Sequence, residues 1–86
     1  MKIEYSPKFV RQYRKLPIEI KLLAEKKEKI FRENPFDPRL RTHKLTGDLD
    51  TCWAFWLKFK CRITFEFLGG GLIYFHSVGP HDIVYR

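Results

Sequence analysis

Ile3 and Tyr5 alternate with Lys2 and Glu4 in MKIEYS, the period-two pattern of a short half-buried strand. Ser6 then offers an N-cap side chain, Pro7 suits a first helical position, and Phe9, Val10, Tyr13 and Leu16 recur at helical spacing. Pro17 cannot continue that helix but can open another, in which Ile20, Leu23, Ala24, Ile30 and Phe31 form one apolar face. Asn34 closes it, because a residue preceding proline is pushed out of the helical region. The pattern predicts a helical hairpin whose outer side carries Lys21, Lys26, Lys29 and Arg32.

Residues 34–51, NPFDPRLRTHKLTGDLDT, lack sustained periodicity and read as a long connecting loop with at most a short extended piece at HKL. Three strand-like runs follow, CWAFWLKF, CRITFEFL and LIYFHSVG, the last two joined by Gly69, Gly70 and Gly71. An N-terminal strand, two helices and a three-stranded antiparallel meander make an α+β fold in one domain spanning 1–86, with the helices on one face of a mainly antiparallel sheet.

A three-residue glycine loop would oppose Leu68 to Leu72, Phe67 to Ile73 and Phe65 to Phe75, and further along Ser77 and Val78 to Ile63 and Arg62. Ile63, Phe65, Phe67, Ile73 and Phe75 then share the helix-facing side, and Arg62, Thr64, Glu66, Tyr74 and His76 the other. Phe55, Leu57 and Phe59 join the apolar side only if the turn at Lys60 and Cys61 holds a bulge or three residues, since a plain two-residue turn would reverse the faces. Ala54, Trp56 and Lys58 then lie beside Arg62 and Glu66. That mixture of aromatic and basic groups suits single-stranded RNA, whose bases stack on rings and whose phosphates pair with cations. It also suits the water-facing side of any antiparallel sheet.

Charge sharpens the picture. Seventeen Lys and Arg against ten Asp and Glu leave a net charge of +7 on 86 residues, so polyanions are the partners to weigh. The longest apolar runs fall far short of the roughly 20 residues that span a bilayer, and the N-terminus lacks an apolar signal segment, so a soluble, cytoplasmic protein without membrane partners is expected. Cys52 and Cys61 form neither a CxxC pair nor a secreted disulfide framework, and with His43, His76 and His81 they match no metal-ligand spacing; no metal site and no cofactor are expected.

In this order of elements, HKLTG (43–47), CRITFEF (61–67) and SVGPHDIVY (77–85), with FVRQYRKLP in the first helix and ENPFDP after the second, resemble the RelE/ParE toxin superfamily, most closely the YafQ-like mRNA interferases of type II toxin–antitoxin systems. The resemblance covers nearly the whole chain. It implies a toxin that cleaves mRNA in the ribosomal decoding site without metal and is held inactive by a cognate antitoxin, as a possible hetero-oligomer. By position it implies His81 as the histidine at the end of the last strand, Tyr85 as the catalytic or base-stacking aromatic, Arg62 as the phosphate-contacting arginine, and His43 as the histidine of the loop before LTG. Three departures stand out: Ala54 and Trp56 replace lysines that some relatives use, Ser77 replaces a further arginine, and Thr51 and Cys52 stand where a glycine is frequent. Phosphate stabilisation therefore falls more heavily on Arg62.

Metal-free RNA cleavage needs a base for the 2′-hydroxyl proton, a cation for the charged phosphorane and an acid for the departing 5′-oxygen. Histidine suits the proton roles near neutral pH, and arginine's fork suits the phosphate. The candidate catalytic set is His81, Arg62, His43 and Tyr85, with Lys44, Lys58, Trp56 and His76 as candidate substrate-binding residues and with the acid and base roles of the histidines left open. Gly79 and Pro80 are expected to turn the chain so that His81 comes back toward Arg62. The competing readings are a non-catalytic ParE-like inhibitor of DNA gyrase and an inactive RNA-binding relative.

Overall fold

A computed structural model describes residues 1–47, 51–58 and 60–80. Strand β1 (Lys2–Tyr5) leads into helices α1 (Pro7–Arg14) and α2 (Ile18–Glu33), then a 3-10 turn at Pro38–Leu40. Strands β2 (His43–Lys44), β3 (Trp53–Lys58), β4 (Cys61–Gly69) and β5 (Leu72–Pro80) complete the order. The α+β class and the two helices are as the pattern predicts. The sheet is larger than the expected meander: five strands in the order β1-β5-β4-β3-β2, mixed in direction, because β1 pairs parallel to β5 and the two-residue β2 adds the opposite edge. No helix among the described residues is long and apolar enough to cross a membrane.

Ser6 caps α1 by accepting a hydrogen bond from the Phe9 N–H at 2.9 Å, with Pro7 at the first position. α2 lays Ile20, Ala24 and Phe31 into the core. Phe31 is fully buried and meets Phe55 and Phe65 at centroid separations of 4.9 Å each, and Phe75 at 5.5 Å, so one helical ring ties three strands together. Burial of such a side chain stabilises by about 1.5–3 kcal/mol before the ring contacts are counted. Val10, expected on the apolar face, is 37% exposed, and Phe67 has the same exposure at the sheet rim, where it stacks on Phe36.

The β4–β5 register corrects the expected one at both ends. Phe65 faces Phe75 and Phe67 faces Ile73 as expected, but Gly69 rather than Leu68 opposes Leu72. The loop is thus Gly70 and Gly71 alone, both at positive φ, as the two central residues of a hairpin turn of the primed type require. Beyond Phe75 a bulge intervenes, so Ser77 opposes Thr64 and Val78 opposes Ile63. The extra residue, His76, reverses the alternation: Val78 joins Ile73 and Phe75 in the core, and Ser77 moves to the other face. Gly79 and Pro80 do not turn the chain; they continue β5, opposite Arg62 and Cys61. The bulge at the β3–β4 end is present, with a register shift between Trp56 and Lys58 and Lys60 in the left-handed region. Phe59, assigned to the core face from the sequence, lies outside the described residues.

The bulge on β5 leaves backbone groups that the ladder does not serve, and the N-terminal region serves them. The Ser6 hydroxyl donates to the His76 carbonyl at 2.7 Å, and the Val78 N–H donates to Gln12 Oε1 at 2.9 Å. Helix α1 is therefore fitted to the irregular part of β5 by two side chains.

Candidate functional site

The face away from the helices is not uniformly open. Ala54 is fully buried there, Thr64 and Ser77 are 3% exposed, and Leu45, Cys52 and Ala54 form a second small apolar cluster. On either side of this closed middle lies a group of polar and aromatic side chains.

The first group is built on β2, β3 and β4. Register sets Trp56 opposite Arg62 and His43 opposite Ala54, so His43, Trp56 and Arg62 come from three adjacent strands. Arg62 Nη1 lies 3.4 Å from His43 Nε2, and the Arg62 guanidinium sits over the Trp56 indole at 4.9 Å from its centroid. Arg41, in the left-handed region after the 3-10 turn, adds a second guanidinium at 5.3 Å from the same ring. Its carbonyl is 3.0 Å from His43 Nδ1. A neutral His43 that donates from Nδ1 to that carbonyl presents a lone pair at Nε2, where the Arg62 N–H donates to it. The arrangement holds two fixed cations, one imidazole nitrogen and one large ring together on a half-buried surface, the components needed to grip a phosphodiester and a base.

Sequence reasoning passed over Arg41, whose role depends on a left-handed backbone turn that no local pattern announces. A basic loop residue two positions before His43 was the available signal. Of the expected substrate-binding residues, Trp56 joins this group. Lys44 does not: it opposes Trp53, one position out of phase with His43, and so lies on the helix-facing side at the sheet edge. Lys58 is exposed at the end of β3, opposite Cys61. His81 and Tyr85 lie outside the described residues.

The second group contains His76, which Tyr74 meets edge-on at 4.7 Å and whose Nε2 is 2.9 Å from Glu66 Oε1. Cys52 completes it: one ligand-type atom from each of Cys52, Glu66 and His76 lies within 4.8 Å of the others. Both cysteines are buried thiols, and burial pushes the Cys61 thiol above its ordinary pKa.

No protein-family model and no curated protein sequence matches the chain. Solved structures do. A YoeB/ParE toxin from Agrobacterium tumefaciens superposes with a TM-score of 0.81 at 15% identity, covering 94% of this chain and 99% of that one. YafQ from Escherichia coli BL21(DE3) gives 0.77 at 15% identity over 99% and 98%. The E. coli DinJ–YafQ toxin–antitoxin complex gives 0.70 at 18% identity over 99% and 97%. Over essentially its whole length, this chain has the fold of the RelE/YafQ-like toxins.

Proposed function

We propose that this protein is the toxin of a type II toxin–antitoxin pair, a cytoplasmic endoribonuclease that cleaves mRNA on the ribosome without a catalytic metal. The observation that carries the reading is the approach of Arg62 to His43 beside Trp56, within a fold shared with toxins that include a partner-bound YafQ. The net charge of +7 supports binding to ribosomal and messenger RNA, with the salt dependence such contacts bring.

In this reading Arg62 pairs with the scissile phosphate and offsets the charge that develops on the phosphorane, and Arg41 adds a second cation at the same surface. His43 transfers one proton through Nε2, whose lone pair its Nδ1 contact with Arg41 keeps available. His81, in the role the sequence resemblance implies, transfers the other, and Tyr85 stacks on or hydrogen-bonds to the substrate. Trp56 holds the guanidinium of Arg62 and offers a ring face to a base. A cognate antitoxin would silence the site, in line with the antitoxin bound in the YafQ complex.

The test is expression in a translating extract with 5′-end mapping of the mRNA. Wild-type protein is expected to cut within codons, and Arg62→Ala to cut about 10²–10³-fold more slowly, the usual cost of removing a transition-state charge partner. Cutting at the wild-type rate by both Arg62→Ala and His43→Ala would overturn these roles.

A further inference from the structure

Cys52, Glu66 and His76 are separated by 14 and 10 positions, so no spacing motif joins them, yet the sheet brings them together. Trp53 opposes Phe65, which sets Cys52 level with Glu66, and Glu66 opposes Tyr74, two residues before His76. From these positions and the 4.8 Å limit on their ligand atoms, we propose that the three side chains form a zinc site, separate from the Arg62–His43 group.

The donor set is thiolate, carboxylate and imidazole, a combination suited to Zn²⁺, which takes Cys, His and Asp or Glu ligands in tetrahedral geometry. Bond lengths of about 2.0–2.3 Å place tetrahedral ligand atoms about 3.3–3.7 Å apart. Glu66 Oε1 and His76 Nε2, now 2.9 Å apart, need to separate by only about half an ångström to reach that spacing. The ion would take the place of the hydrogen that joins them. Binding releases the Cys52 thiol proton to solvent and sends the hydrogen between His76 Nε2 and Glu66 Oε1 to His76 Nδ1 or to solvent, so that His76 binds through Nε2 as the neutral imidazole. A route in exists, because the Glu66 and His76 side chains are 28% and 33% exposed while Cys52 is buried beneath. Three protein ligands leave a fourth position for water or a partner's donor. Thr64, two residues before Glu66 on the same strand face, has a buried hydroxyl with no hydrogen-bond partner among the described residues, and such a water could satisfy it.

The regular pairing of β3, β4 and β5 brings the three side chains to one face. His76 follows Tyr74 on the same face as Glu66, its carbonyl is held by the Ser6 hydroxyl, and the register shift just beyond it places Ser77 rather than His76 opposite Thr64.

Cobalt titration of the full chain, followed by zinc competition, tests the proposal without reference to RNA cleavage. A single Co²⁺ per chain should give tetrahedral d–d bands with a thiolate-to-metal charge-transfer band, both bleached by Zn²⁺. Cys52→Ser should lose the charge-transfer band. Glu66→Gln and His76→Gln, both at partly exposed positions, should each bind more than about 100-fold more weakly, since even groups that only support a metal ligand are worth 10–100-fold. Absence of the charge-transfer band in the wild-type chain, its persistence in Cys52→Ser, or wild-type affinity in both Glu66→Gln and His76→Gln would each overturn the site.

Discussion

Arg62 Nη1 lies 3.4 Å from His43 Nε2 across the width of β3, the strand that carries Trp56 and runs between β2 and β4. A cation that donates to the imidazole Nε2 holds that ring in one orientation. His43→Gln keeps a polar group on the Arg41 carbonyl but removes proton transfer, and should lower cleavage about 10²–10⁴-fold. Arg62→Lys keeps charge without the planar fork and should restore less than the full rate. Primer-extension mapping in a translating extract reads both, and a wild-type cleavage rate in His43→Gln would remove His43 from the chemistry.

Trp56 contributes through its face. Trp56→Ala removes the ring beneath two guanidinium groups and the surface for a base, so RNA affinity should fall by about 1–3 kcal/mol, whereas Trp56→Phe should keep most of it. Fluorescence anisotropy with a short single-stranded RNA at two salt concentrations measures this. Equal affinities for the Ala and Phe variants would show that the ring does not stack on RNA.

The irregular stretch of β5 depends on α1. Gln12→Ala strands the Val78 N–H in a partly buried position, at an expected cost of about 1–3 kcal/mol. Ser6→Ala removes both the helix cap and the partner of the His76 carbonyl, and should cost at least as much. Urea unfolding should show lower midpoints at an unchanged slope. A Gln12→Ala midpoint equal to the wild-type value would mean that the bulge is held by other means.

Phe31→Ala should be the most damaging single truncation on the helices, at about 3–5 kcal/mol, because the ring is fully buried among Phe55, Phe65 and Phe75. Val10→Ala, at a 37% exposed position on α1, should cost well under half of that. Thermal melts of the two variants order them directly, and the reverse order would contradict the core described here.

Alternation and capping were enough to read α1, α2, the three long strands and the bulged turn before β4, because each of these is dictated by neighbours in the chain: Ser6 and Pro7 start a helix locally, and Gly70 and Gly71 turn a hairpin locally. The placement of Trp56 on the same face as Arg62 followed from the same local logic. The bulge at His76 could not be read in this way. Its reason lies in the Ser6 hydroxyl and the Gln12 amide, 70 and 66 positions away, which satisfy the backbone groups the bulge frees. One inserted residue then moved Val78 inward and Ser77 to the other face, and set Gly79 and Pro80 opposite Arg62 and Cys61. Likewise the parallel pairing of β1 with β5, the left-handed turn that carries Arg41 to Trp56, and the meeting of Cys52 with Glu66 and His76 are long-range events. Periodicity along the chain chooses the elements and their inner faces; only packing between distant segments decides the register, and register decides which polar side chains meet.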